Sequence, residues 1–296
     1  MSSAAALELL RAAELDVVGR LVAASNTTLY CRLSDGEGRA APVGTETGAD
    51  GRADGTTDGT TDGTTDGTDE DLAGPGCVYK PVAGERPLWD FPDGTLAARE
   101  VAAFEVSEAM GWALVPPTIV RDGPFGPGMC QLWVDHDEQT DLVDVVRRGR
   151  VRHGWLHVVD AEGGGGDEVM LVHADDNELR RTAVFDAVIN NADRKAGHLL
   201  PTAAGLRVVD HGVTFHVEPK LRTVLWGWAG SALRAEEVKT LQRLRVDLDG
   251  RLGACLRDLL TPAEVAQTSR RVERLLRAGT LPKQVHGWRG LPWPPF

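Results

Sequence analysis

The sequence predicts an α+β protein in two parts: an antiparallel sheet with one prominent helix, then a mainly helical half. Three observations carry this reading. Short β-branched and apolar runs separated by turn residues fill the first 135 positions. Beyond residue 141 the pattern turns helical, with firm cap signals near the C-terminus. Finally, 296 residues with 42 % hydrophobic and 26 % charged side chains suit a chain with a substantial core. The expected parts are residues 1–135 and 136–296, with residues 43–73 a disordered acidic insertion in the first.

The elements follow in order. Residues 7–15 read as a short amphipathic helix. Residues 17–22 and 28–33 read as two strands of a hairpin, joined by the polar turn Ala23-Ala-Ser-Asn26. Residues 54–67 repeat Asp-Gly-Thr-Thr without one apolar side chain, so they have nothing to bury. The acids recur every fourth residue and lack the ligand spacing of a calcium-binding EF-hand loop. Cys77–Lys80 is a short strand stopped by Pro81. Thr95 reads as the cap of a helix running to Met110, with Gly111 as its stop. Residues 115–120 and 129–134 are expected strands. Apolar spacing predicts a helix over 178–190, and Gly205 predicts a small hairpin over 199–209. Residues 234–246, 249–260 and 262–277 are three expected helices. The last begins with a capping box, Thr261 to Glu264, and Pro262 at its first position. The proline- and tryptophan-rich end, 288–296, reads as a clasp packed on the fold.

Charge and cysteine content narrow the function classes. Residues 45–72 carry a net −8 of the chain's −12, leaving −4 elsewhere. That balance disfavours a broad nucleic-acid face. No run reaches the ~18 apolar residues of a membrane span, and the start of the chain lacks the basic region of a secretory signal. Four scattered cysteines, with no CxxC pair, point to a reducing cytoplasm.

Lysine is rare, with five against 27 arginines, so its positions inform. Lys80 ends an apolar strand and needs an anion. Glu100 on the following helix shares its face with Ala97 and Phe104; Glu105, beside Glu108, is the competing partner. The densest polar cluster is Asn190-Asn-Ala-Asp-Arg-Lys-Ala-Gly-His198. The hairpin after it returns Asp210-His211-Gly212 to its side, so Asp193, His198 and Asp210 can converge on a hard cation. Each residue also has a plainer use. The asparagines can cap the helix, Asp193 and Arg194 can pair locally, and His211 can fill the core. A Lys–Glu pair above an Asp–metal site is the layout of ATP-dependent phosphoryl transfer. Ser25 and Asn26, in the hairpin turn, can lie over the phosphates through backbone amides. A Walker-A loop is absent from the sequence.

The order strand-Lys80, helix-Glu100, Asp193-Arg194-Lys195, Asp210-His211-Gly212 resembles the phosphatidylinositol 3-/4-kinase-like family. It looks most like small actinobacterial proteins assigned to that superfamily. Val78-Tyr-Lys-Pro81, residues 84–92, residues 184–195 and residues 220–228 carry the likeness, which covers nearly the whole chain outside the acidic repeat. The resemblance implies a bilobal protein-kinase-like fold. It implies that ATP is the cofactor, with Lys80 on its phosphates, Glu100 orienting Lys80, and Gln131 near the hinge that meets adenine. Asp193 would be the catalytic aspartate and Asp210 the metal ligand. The chain departs from the pattern in three places. Lys195 stands where His is common, His198 where the metal-binding Asn is common, and His211 where Phe is common. Lys195 adds positive charge that can compensate, so it joins Asp193 as a catalytic candidate. His198 joins Asp210 as a metal candidate, and because imidazole favours Mn²⁺, that ion stands beside Mg²⁺.

The expected activity is therefore transfer of the γ-phosphate of ATP to a hydroxyl on an unidentified lipid, protein or small molecule. The alternative is a catalytically degenerate nucleotide-binding scaffold. A third reading, a metal-dependent phosphohydrolase on His173, Asp193, His198, Asp210 and His211, leaves Lys80 and Glu100 unexplained. Lys220, Arg222, Trp226 and Trp228 can face an acceptor or pack on the C-terminal helices.

Overall fold

The structure is a computed structural model that describes residues 1–21, 26–34, 74–92, 94–284 and 290–296. The expected acidic insertion and Ser25 lie outside the described residues. The architecture is α+β, with antiparallel sheets and six α-helices among the described residues.

Helix α1 spans Ser3–Ala12 and is capped by the Ser2 hydroxyl, which accepts from the Ala5 amide. It starts and ends earlier than its apolar spacing suggested, because Glu14 already begins strand β1 (Glu14–Arg20). β1 pairs with β2 (Leu29–Ser34) as the expected hairpin, with Leu15 opposite Leu33 and Arg20 opposite Leu29. β3 (Gly76–Pro81), β4 (Thr118–Gly123) and β5 (Gly126–Leu132) complete a five-stranded antiparallel sheet in the order β1-β2-β3-β5-β4. Strand alternation divides its two faces. Cys31, Cys77, Tyr79, Ile119 and Cys130 pack with Leu10 of α1 in one core. Val78 and Lys80 point the other way, towards helix α2 (Leu96–Met110).

α2 is buried nearly all round. Thr95 stands at its N-cap position, yet its side chain caps no amide. Instead the Glu85 carboxylate accepts from the Leu96 and Ala97 amides, at 3.2 and 2.9 Å. A carboxylate there also complements the helix dipole. Gly111 closes the helix in the left-handed region at φ 69°. Although α2 follows β3 in the chain, Ala102, Ala103, Phe104, Val106 and Met110 belong to the core of the C-terminal helices.

Residues 143–174 correct the expectation of a helical continuation. They form a second antiparallel sheet of β6 (Val143–Arg147), β7 (Trp155–Glu162) and β8 (Glu168–Ala174), in the order β6-β8-β7. Valines crowd these strands, and the branched side chain suits a pleated surface better than a helix. Helix α3 (Asn177–Ile189) follows, capped by Asp176 and closed by Asn190 at φ 54°. Strands β9 (Leu199–Thr202) and β10 (Gly205–Val208) form the small hairpin. Helices α4 (Ala235–Asp249), α5 (Arg251–Leu259) and α6 (Pro262–Ala278) match the three expected helices within a few residues. The capping box of Thr261 and Glu264 is formed. The C-terminal segment packs as a clasp. The Gly290 carbonyl accepts from the Thr223 amide and the Trp226 indole, and the Pro295 carbonyl accepts from the Ala196 amide. Trp226 and Trp228 are buried in this packing. Among the described residues no helix is long and apolar enough to cross a membrane.

Candidate functional site

β3, α2 and the turn after β10 meet at Lys80. Its ammonium lies 2.8 Å from Glu100 Oε1 and 3.0 Å from Asp210 Oδ1. The second Glu100 oxygen, Oε2, accepts the backbone N–H of His211 at 2.8 Å. One carboxylate thus joins the sheet, the helix and the Asp-His-Gly turn. Glu105, the competing partner, remains half-buried on another face of α2. Burial opposes the charge on Lys80, but Asp210 and Glu100 outweigh it and hold the ammonium above the usual lysine range. Burial likewise opposes the charge on Glu100, and Lys80 with the His211 contact holds its carboxyl below the usual range. Lys80 is also the main cause that keeps Asp210 well below it.

The turn is held in strained geometry. Asp210 adopts φ 62°, a region that residues with a Cβ rarely occupy. Gly212 allows the turn to approach α2; a Cβ there would stand 3.3 Å from Leu96 Cβ. The side chain of Asp210 stays 47 % exposed, so one face of the carboxylate is open.

The segment 190–198 lies beside it. Asn190 is the αL cap of α3, and its amide donates to the carbonyls of His216 and Glu218. Asn191 accepts the Asp193 amide on Oδ1 and donates to Asp186. The Asp193 carboxylate faces Lys195 Nζ at 3.4 Å. Burial pushes the Asp193 carboxyl up, against the pull of Lys195. Arg194 does not pair with its neighbour. It is fully buried, forks onto Asp186 of α3 at 3.0–3.2 Å, and donates to the Val209 carbonyl and to His211 Nε2. Since the guanidinium can only donate, His211 Nε2 accepts and the imidazole is neutral. Burial, followed by Arg194, lowers its pKa.

His198 Nε2 stands 3.4 Å from Asp210 Oδ2. Burial lowers the His198 pKa to about 4, despite Asp210. Of the three residues expected to converge, His198 and Asp210 stand side by side, Asp210 also on Lys80, while Asp193 faces Lys195. Yet among the described residues no three His, Cys, Asp or Glu side chains gather into a cage for a metal ion. What gathers is a pair, Asp210 with its open face and His198. Mg²⁺ is commonly held by one or two carboxylates plus substrate phosphates and waters, and of this pair Asp210 is the carboxylate.

The remaining sequence candidates are placed differently. Gln131 lies on the Lys80 face of the sheet, opposite Val78, but its amide is buried and donates to Thr118 Oγ1 at 2.8 Å. Asn26 accepts the Arg86 amide on its side chain, tying the hairpin to the β3–α2 connection. His173 is remote from this chemistry. Its ring sits on β8, bonded to the Gly227 amide and the Ala174 carbonyl, which breaks up the five-residue hydrolase set. Lys220 pairs with Asp90 at 2.8 Å and covers the Trp89 ring.

Sequence reasoning missed Asp186, the partner of Arg194. A signal was present: Asp186 is a lone acid inside the apolar run 183–189, where an ion needs a buried counter-charge.

No family model matches the chain. Among solved structures, the Helicobacter pylori proinflammatory kinase CtkA aligns over 92 % of this chain and 94 % of its own, with a TM-score of 0.43 and 8 % identity. Among curated proteins, protein Rv2133c of Mycobacterium tuberculosis (strain ATCC 25618 / H37Rv) is 44 % identical over 293 residues, 96 % of this chain and 92 % of that one. Identity of that extent means that the chain belongs to the same family as protein Rv2133c.

Proposed function

We propose that the protein is an ATP-dependent phosphotransferase of the protein-kinase-like type, with a phosphatidylinositol 3-/4-kinase-like arrangement of its site. The observation that carries this reading is Lys80, bridged between Glu100 and Asp210 while Glu100 also holds the His211 amide. Phosphoryl transfer needs positioned positive charge and little covalent help from the protein. Lys80, held charged by Glu100, neutralises the nucleotide phosphates. Asp210 and His198 would hold Mg²⁺ or Mn²⁺, which supplies charge neutralisation at the phosphates. Asp193 receives the proton of the acceptor hydroxyl as its oxygen bonds to the γ-phosphorus. The bond from that phosphorus to the β-phosphate oxygen breaks, and ADP leaves. Its raised pKa makes Asp193 a better base than an ordinary aspartate. Lys195, 3.4 Å from it, offsets charge on the transferred group.

One observation favours a second reading, a nucleotide-binding scaffold without turnover. His198 Nδ1 lies 3.4 Å from the Lys195 amide and accepts from it, which leaves the proton on Nε2, pointing at Asp210. In that tautomer Nε2, 3.4 Å from Asp210 Oδ2, carries a proton and is not a ligand.

Calorimetric titration of ATP with Mg²⁺, with Mn²⁺ and with EDTA, on the natural protein and on Asp210→Ala, tests both. Metal-dependent binding lost in the variant is the expected result, and no binding under any condition overturns the proposal. ADP release that disappears in Asp193→Asn separates the enzyme from the scaffold.

A further inference from the structure

Arg99 precedes Glu100 on α2 and is 1 % exposed. Consecutive helical residues leave the axis about 100° apart, and these two reach the two ends of one turn. Glu100 Oε2 accepts the His211 amide at 2.8 Å, while Arg99 Nη1 donates to the Thr214 carbonyl at 2.7 Å. The Thr214 hydroxyl closes the turn onto the His211 carbonyl. The other Arg99 amino group, Nη2, donates to Glu264 Oε1 at 2.6 Å, and its plane lies over the Phe91 ring. Glu264 is itself fixed, because its second oxygen takes the Thr261 amide and hydroxyl of the α6 capping box. A planar fork suits this set of acceptors and a lysine does not. The apolar flank of α2 adds to the grip, since it packs in the core of the C-terminal helices.

We infer that Arg99 is a positioning residue that clamps α2 onto the Asp210–Thr214 turn and α6, so that Glu100 meets Lys80 before any ligand arrives. This rests on reading the Lys80 cluster as a nucleotide site. On this inference the helix that carries Glu100 has no swung-out resting position.

Two measurements on the full chain test it. The first is hydrogen exchange of the α2 amides with and without Mg–ATP. Slow exchange without ligand, changed less than about twofold by it, is expected. Fast exchange that slows on adding nucleotide overturns the clamp. The second is a double-mutant cycle on the ATP dissociation constant. Arg99→Gln and Glu100→Gln should each weaken binding about tenfold, and the double variant should be no weaker than either by more than about twofold. Additive losses mean that Arg99 does not act through Glu100, and they overturn the inference. Arg99→Lys and Glu264→Gln serve where Arg99→Gln does not fold, each expected to act through Glu100 in the same cycle. If the natural protein binds no ATP, the nucleotide reading fails, and the exchange measurement still decides the clamp.

Discussion

Arg194 shows how much of the site is built from side chains that touch no ligand. Its guanidinium and the Asp186 carboxylate are both fully buried, and the same group fixes the Val209 carbonyl and the His211 ring. Removing one partner of such a pair leaves an uncompensated buried ion, at about 3–5 kcal/mol. Asp186→Ala should therefore lower the stability read from urea unfolding by about that amount, with the slope against urea unchanged. A loss below ~1 kcal/mol would contradict the role given to the pair. Lys80→Met tests the exposed side of the site. It should weaken ATP binding more than tenfold, measured by calorimetry. It should also leave Glu100 and Asp210 facing each other without a cation. Burial would then raise the Glu100 pKa above its unfolded value, so the variant should gain stability relative to the natural protein as pH falls towards the ordinary glutamate value of 4.5. Glu100, Asp193, His198 and Asp210 were legible in sequence because charged residues beside apolar strands and tight turns need a reason to be there. Arg99 was not, because its partner Glu264 lies 165 residues away and local pattern holds no record of the pair. Asp186 left a local trace as a lone acid in an apolar run, but not the identity of its partner Arg194.

Elements with their own start and stop signals were the readable ones. α6 has its capping box, α2 its Gly111 stop, and the β1–β2 pair its hairpin spacing. The β6–β8 sheet was missed although valines crowd it, because exposed His157, Asp160 and Glu162 interrupt β7 and β8 is a continuous apolar run, whose period does not separate a buried strand from a helix. His173 anchors that sheet to the rest of the molecule. Its Nδ1–H donates to the Ala174 carbonyl at 2.8 Å, and its Nε2 accepts the Gly227 amide at 3.0 Å. Burial lowers its pKa to about 4. The unfolded chain takes up this proton near pH 6.5 and the folded one only near 4. Stability is thus fully present above about pH 6.5 and is lost as pH falls towards 4, by up to about 3 kcal/mol for this group. His198 has the same shift and adds to the same window. Unfolding midpoints in urea between pH 7 and 4.5 should fall steeply, and His173→Gln, which keeps one donor and one acceptor, should flatten the slope. A midpoint independent of pH in that window would refute the assignment.

Among the described residues the fold has two hydrophobic cores, and one ion cluster links their elements. The sheet packs on α1 around Leu10, Cys31 and Tyr79, while α2 belongs with α3 to α6. Lys80 reaches from the first body and Glu100 from the second, so their contact reports how the two are seated. Residues 35–73 connect β2 to β3 in the chain. The chain leaves β2 at Ser34 and is beside it again at Gly74 and Pro75. There the Leu33 amide donates to the Pro75 carbonyl at 3.0 Å, and Arg32 donates to the Gly74 carbonyl. Arg32 is already opposite Gly76 in the β2–β3 register. Two strand ends this close can be joined by a hairpin turn of a few residues. Closing a connection of length n costs about (3/2)RT ln n, so a roughly tenfold shorter link stabilises the fold by about 2 kcal/mol. Replacing residues 36–73 by a short Asn-Gly turn should therefore leave the chain folded, raise its thermal midpoint by a few degrees, and leave metal-dependent ATP binding within about twofold. A lower midpoint would mean that residues 36–73 make stabilising contacts with the fold. A lost ATP signal in a protein that still melts cooperatively would mean that the segment contributes to the site formed by Lys80, Glu100 and Asp210.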